Sequence, residues 1–158
     1  MAPLSILKYA HELLAFFYVG ALLAGHWNML AVRRTTEWKE RAVLLELNQR
    51  LSLFFSLIPL ILLGILGNLL AAQSGFRMSD TRPLQIATAL WLIMVILGAA
   101  IDIPVAGRLA AMARSASNGP GNDPVGWNGH LGRWRLGNAL QLAVFLGILW
   151  IMVSPWRA

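Results

Sequence analysis

The chain contains no cysteine, which removes disulfides, thiolate-bound zinc, iron–sulfur clusters and cysteine nucleophiles from the chemistry open to it. Charge is scarce too. Asp, Glu, Lys and Arg make up 13% of the 158 residues, about half the ~25% of an ordinary soluble domain. So few ionic groups cannot build a water-exposed surface, and this excludes intrinsic disorder, a fibrous repeat and a conventional soluble enzyme. Acidic residues are the rarer sign, seven against 13 Lys and Arg, for a net charge of +6. In a soluble chain that balance would suggest nucleic acid. Here it reads as orientation charge against lipid, and no nucleic-acid partner is expected. Three histidines remain for metal chemistry. Apolar residues are abundant, at 58% with a mean hydropathy of +0.62, so the expected partner surface is the lipid bilayer.

Four apolar runs approach or exceed the ~20 residues that cross ~30 Å of hydrocarbon. They predict helices over about residues 5–32, 51–72, 84–113 and 136–153, forming a single transmembrane domain over 1–158. The first run stops at Arg33 and Arg34 and suits a retained helix better than a cleaved signal peptide. Pro59, Gly64 and Gly67 lie in the second, which a membrane helix tolerates. Pro104 predicts a kink in the third. The fourth closes at Ser154, Pro155 and Trp156, an interfacial aromatic beside a helix stop. Between the first two spans, Glu37–Arg50 alternates charge with Val43, Leu44 and Leu47 and predicts a helical extension at the membrane surface or projecting from the second span. The Gly- and Pro-rich stretch from Ser115 to Gly132 predicts an irregular loop.

Nine of the 13 basic residues fall in the first and third connections and four on the other side. The positive-inside rule then puts those connections in the cytoplasm. The expected architecture is an all-α integral membrane four-helix antiparallel bundle in a bacterial inner (cytoplasmic) membrane, with both termini outside, in the periplasm.

An ionisable side chain inside a span costs about 2.5–3.5 kcal/mol on insertion scales, so each needs a partner or a purpose. Lys8, His11 and Glu12 share a face near the start of the first helix, with Asn68 and Gln73 of the second as candidate neighbours. A second cluster draws on His26, Asn28, Asp102 and Asn138, with Arg108 and Arg135 nearby. His26 and Asp102 come out at similar depth, so a contact between them is plausible as an interhelical clasp or as a cofactor or proton site. His11 and His26 are the candidate metal ligands. They stand about 22 Å apart along their helix and cannot share one iron. A second ligand would come from His130 for His26, and from Met152 or Lys8 for His11, or else an iron on His11 would be five-coordinate. No Gly-x-Ser-x-Gly elbow, Walker loop, Rossmann glycine set or His-Glu-x-x-His is present.

Lys8-Tyr-Ala-His11 resembles the Lys-x-x-His opening of a superfamily of small four-helix bacterial membrane proteins that includes HemJ-type protoporphyrinogen oxidases and CopD-like copper-resistance proteins. Arg135-Leu-Gly-Asn138 and the run ending Ile-Met-Val-Ser-Pro155 look like the start and close of that superfamily's fourth helix, and Gly107-Arg108-Leu109 is similar to its motif after the third. Ala139 stands where the oxidases carry Glu, and Ile103-Pro104 where they carry His. A sister family of predicted integral membrane proteins is therefore the better match. The resemblance implies haem b or another tetrapyrrole, with His11 as axial ligand and Lys8, Arg135 and Asn138 as cofactor-binding residues. Two functions follow as expectations: a redox-linked haem- or tetrapyrrole-binding protein, or a non-catalytic structural or accessory subunit of a larger membrane complex. Copper-related transport is a third. Each leaves room for a homo-oligomer or for other membrane subunits.

Overall fold

The structure is a computed structural model that describes residues 2–77, 81–119 and 123–153, and every regular element among them is helical. There are four long helices: α1 (Ala2–Arg34), α2 (Trp38–Gln73), α3 (Arg82–Ser117) and α4 (Trp127–Val153). All four are long and apolar enough to cross a membrane. Met78, residues 120–122, the Ser154-Pro155-Trp156 close and Arg157 lie outside the described residues. Below, the end of the bundle that holds the N-terminus of α1 and the C-terminus of α4 is the terminal end. The other, which holds Arg33, Arg34 and Lys39, is the basic end.

Local chemistry fixes the turns. After α2, Gly75 takes φ +83°, Phe76 N–H donates to the Ala71 carbonyl and Gly75 N–H to that of Ala72. This is a Schellman close, which needs a residue free to adopt the left-handed region. α3 begins on Pro83 in its first turn, where the missing N–H has no helical partner to lose. At the other end Thr35 Oγ1 donates to Glu40 at 2.5 Å, tying the α1–α2 turn to the first turn of α2.

Two helices run past the predicted spans. At 36 residues each, α2 and α3 extend about 54 Å at 1.5 Å per residue, well beyond ~30 Å of hydrocarbon. The surplus lies at the basic end, where the charged stretch after Glu37 projects as a helical continuation of the second span. α4 likewise starts at Trp127 rather than near 136, and α3 runs on to Ser117, so helix occupies both ends of the stretch expected to be irregular. Tertiary packing overrides the glycines there. Buried Trp127 meets buried Trp38 edge-on at 4.9 Å, Arg41 lies 4.4 Å over the Trp38 ring, and Trp134 is buried against the same core.

The interior has two apolar layers. One, toward the basic end, sets Ala42 and Leu45 of α2 against Leu109, Ala110 and Ala113 of α3, where small side chains allow close helix approach. The other, toward the terminal end, holds Tyr18, Leu22, Leu60, Met94 and Phe145. Outside, Phe16, Trp27 and Trp150 are each more than 70% exposed. Large apolar side chains thus face outward on all four helices, a surface suited to lipid. Between the two layers, α2 and α3 each widen into a π-helical turn, Ser52–Leu57 and Gly98–Asp102. Each turn ends just before a proline, Pro59 or Pro104, whose missing N–H and ring displace the carbonyl four residues back. The predicted kink at Pro104 takes this form, and the two widened turns pack against each other.

Candidate functional site

Polar side chains gather beside the π turns, between the apolar layers. Asn28, Asn48, Asp102, Asn138 and Gln141 are all less than 9% exposed, and Tyr18 is fully buried above them. Glycine makes room for them. Asp102 Oδ1 on α3 lies 2.5 Å from where a Cβ on Gly137 of α4 would sit, and Gln141 Nε2 on α4 lies 3.3 Å from the same point on Gly98 of α3. Gly98 and Asp102, like Gly137 and Gln141, are one helical turn apart on one face. The two antiparallel helices therefore exchange polar side chains reciprocally, each into the other's notch. Gly25 of α1 faces two amides at once, with Asn48 Oδ1 and Asn138 Oδ1 both 3.5 Å from its Cβ position, an ordinary contact distance.

Their hydrogen bonds are lopsided. The amide donors find partners: Asn138 Nδ2 donates to the Trp134 carbonyl at 3.0 Å, Asn28 Nδ2 to the Leu44 carbonyl at 2.9 Å and Asn48 Nδ2 to Ser52 Oγ at 3.5 Å. Several oxygens find nothing. Asn48 Oδ1, Asp102 Oδ1, Gln141 Oε1 and the Tyr18 hydroxyl are buried without a partner. An unpaired buried polar group costs about 1–3 kcal/mol, and more when charged. Four such oxygens, one of them on a carboxyl group, lie in and beside this layer.

No family model, curated protein or solved structure matches this chain. The site therefore has to be read from its own chemistry. Oxygens of carboxylate, amide and phenol are hard ligands, suited to a proton or to alkali and alkaline-earth cations rather than to soft metals. Among the described residues no three His, Cys, Asp or Glu side chains form a metal-holding group.

The sequence-predicted residues divide among three places. Asp102, Asn138 and Asn28 belong to the buried polar layer. His26 does not join Asp102: its Nδ1 lies 3.3 Å from the Leu22 carbonyl of its own helix, while Asp102 turns to Gly137. Arg108 and Arg135 are exposed toward the basic end. Near the terminal end, Lys8 and Glu12 form an exposed ion pair at 3.9 Å. His11 turns inward, with Nδ1 3.1 Å from the Leu63 carbonyl of α2 and its ring against Gly67. It lines a cavity of about 120 Å³ together with Asn68, Thr88 and Met152. The residues expected to hold a tetrapyrrole are thus spread along the bundle, Lys8 and His11 near the terminal end, Asn138 in the buried layer and Arg135 toward the basic end. Asn138 packs on Gly25, which lies about 21 Å along α1 from His11.

Sequence reasoning passed over Tyr18, Asn48 and Gln141. The available signal was the pair Gly98-Ala-Ala-Ile-Asp102 and Gly137-Asn-Ala-Leu-Gln141, in which a glycine precedes a polar residue by one turn in each of two antiparallel spans.

Proposed function

We propose that this is an ion-coupled membrane protein that takes up a single positive charge, a proton or a monovalent metal cation, at Asp102 in the interior of the bundle. The observation that carries the reading is the set of unpartnered buried oxygens at Tyr18, Asn48, Asp102 and Gln141. One carboxylate balances one positive charge, and a low-dielectric interior favours a neutral total. The protein resides in a bacterial inner membrane with its termini in the periplasm, the orientation that its basic connections favour. One four-helix unit encloses little space, so transport or sensing through this site calls for a homo-oligomer or for other membrane subunits.

Thermal unfolding of the purified protein in mild detergent tests the reading. A ligand bound only to the folded state at 100 times its Kd adds about 2.7 kcal/mol, roughly 5–11 °C in Tm at ~2–4 °C per kcal/mol. Na⁺, Li⁺ or K⁺ against a choline control reports a metal cation, and a pH series in choline reports a proton. Asp102→Asn is expected to abolish whichever response occurs. A wild-type protein indifferent to both, or a response that survives in Asp102→Asn, refutes the proposal.

A redox-linked haem or tetrapyrrole protein, in line with the resemblance to the HemJ- and CopD-like superfamily, is the second reading. What supports it is that His11 and Met152 line one cavity, since His with Met is a known axial pair for haem iron. At about 120 Å³ that cavity lies below the ~300–1,000 Å³ of small-molecule sites. A reduced-minus-oxidised haem b absorption signal near one per chain, lost in His11→Ala, would establish it. A colourless protein that co-purifies stoichiometrically with other membrane subunits would instead mark a structural subunit.

A further inference from the structure

The cavity beside His11 and the polar layer around Asp102 lie on one line through the bundle. All four helices contribute to the cavity wall. Its polar side chains, His11, Asn68 and Thr88, sit toward the terminal end, where Thr88 Oγ1 donates to Asn68 Oδ1 at 3.3 Å and Asn68 Nδ2 to the Gly64 carbonyl at 2.8 Å. The deep end is apolar, formed by Leu60, Met94 and Phe145. Directly against these packs Tyr18, with its ring 5.5 Å from that of Phe145. The Tyr18 hydroxyl is buried without a partner, and Asp102 lies deeper, with its Oδ1 at the Gly137 notch. A single layer of side chains therefore lies between the cavity and Tyr18, and Gln141 is the next turn beyond Phe145 on α4.

The opposite direction is built differently. From the polar layer to the basic end the interior is filled by Val32, Leu45, Leu109, Ala113 and Trp134, each no more than 1% exposed. The Trp38–Trp127 pair, with Arg41 over both rings, closes that end. Several turns of close-packed core stand where the other side has one layer.

We infer that the positive charge reaches Asp102 from the terminal end, through the cavity and past a gate made of Met94, Phe145 and Tyr18. The inference rests on the reading of Asp102 as the ion site. The gate residues suit the task. Met94 is unbranched, with three rotatable bonds, and repacks at little cost. Tyr18 brings the one polar group of the layer, able to relay a proton or to offer an oxygen to a passing cation.

Because the chain has no cysteine, a single introduced thiol is the only one a reagent meets. Met94→Cys is placed at the gate, with Ala87→Cys on the same cavity wall as the second variant should the first fold poorly. Ala113→Cys marks the packed core. A cationic, membrane-impermeant methanethiosulfonate is applied separately to each face of sealed vesicles, the terminal face being identified by proteolysis of a C-terminal tag. The expected result is modification of Met94→Cys from the terminal face, at least tenfold faster when Phe145→Ala removes the gate ring, and slowed by a saturating amount of the ion that stabilises the protein. Ala113→Cys is expected to stay unmodified. Reaction of Met94→Cys from the basic face at an equal or greater rate overturns the inference, as does a Phe145→Ala variant with no effect on it. Protection by the ion combined with labelling from the basic face defeats the route alone and leaves the Asp102 reading standing. Labelling from the terminal face that no monovalent ion alters, and whose pH dependence is the same in the Asp102→Asn background, defeats the Asp102 reading, and the ion route with it.

Discussion

Adding one methyl group at each of four glycines turns the packing of the bundle into a ranked prediction. A Cβ on Gly64 would fall within the indole of Trp91, whose Nε1–H donates to the Leu60 carbonyl at 2.7 Å. Overpacking a filled interior costs typically 1–3 kcal/mol, and displacing the indole forfeits a hydrogen bond worth about 1 kcal/mol. Against this, alanine is favoured over glycine in a helix by about 1 kcal/mol. Taking about 2 kcal/mol for the overpacking, Gly64→Ala should be destabilised by about 2 kcal/mol, or roughly 4–8 °C in Tm. At Gly137 the new Cβ meets Asp102 Oδ1 at 2.5 Å and Ile101 Cγ2 at 3.3 Å. A carboxylate can rotate away more easily than an indole, so Gly137→Ala should lose only about 1 kcal/mol once helix propensity is credited.

Gly25 and Gly20 are the controls. Around Gly25 the nearest atoms stand at 3.5 Å, ordinary contact, and around Gly20 nothing lies within 4 Å. Both alanine variants should be neutral or up to about 1 kcal/mol more stable. The order of Tm is therefore Gly64→Ala, Gly137→Ala, then Gly25→Ala and Gly20→Ala, measured by thermal unfolding in one detergent at one ionic condition. Gly137→Ala carries an added signature. Because it pushes the Asp102 carboxylate out of its notch, its response to ion or pH should fall further than its stability does. If Gly64→Ala and Gly137→Ala melt with Gly20→Ala, the notches are not filled as described and the account of the polar layer fails with them.

The closed basic end gives two further predictions. Trp127→Ala should cost about 3–5 kcal/mol, the range for truncating a large buried aromatic. Arg41→Ala should cost about 1–2 kcal/mol, for its cation–π contact and its bond to the Thr35 carbonyl at 2.9 Å, and equal Tm losses for the two would refute a tryptophan-centred cap. The Glu46–Arg114 pair at 2.8 Å is 38% and 61% exposed. Glu46→Ala should therefore change stability by less than about 1 kcal/mol and by nothing measurable in 1 M salt, and a larger, salt-resistant loss would show that the pair is shielded from water.

Helix number and type were legible because lipid contact demands long uninterrupted apolar runs, and those are local in sequence. The ends of α2, α3 and α4 were less so. Whether the turns between Trp127 and Leu136 are helical depends on Trp127 finding Trp38, nearly ninety residues away in the chain, which no local pattern encodes. The polar layer shows the same division. Asp102 and Asn138 stood out as polar groups within or at the start of apolar spans. Asn48 sits in a segment rich in Glu and Arg, reads there as surface, and is buried only because Gly25 of another helix lies opposite. Tyr18 is one aromatic among many until its hydroxyl is seen to end without a partner.

Burial of these groups calls for a reason beyond stability. Replacing a buried polar or ionic cluster with apolar side chains of like volume is often neutral or stabilising, so a bundle selected only to hold together has little use for Asp102 and Gln141. Here the backbone itself is shaped around them. Gly98 and Gly137 give up helix propensity at the two points where those side chains cross. The π turns of α2 and α3, each set by the proline that follows, meet at the same level. Widened turns of this kind recur at functional sites, where regular helical hydrogen bonding is given up locally. Glycine notches, prolines and orphan oxygens are three independent departures from an optimal membrane bundle. Their coincidence in one layer is the ground for proposing an ion site there rather than an accident of packing.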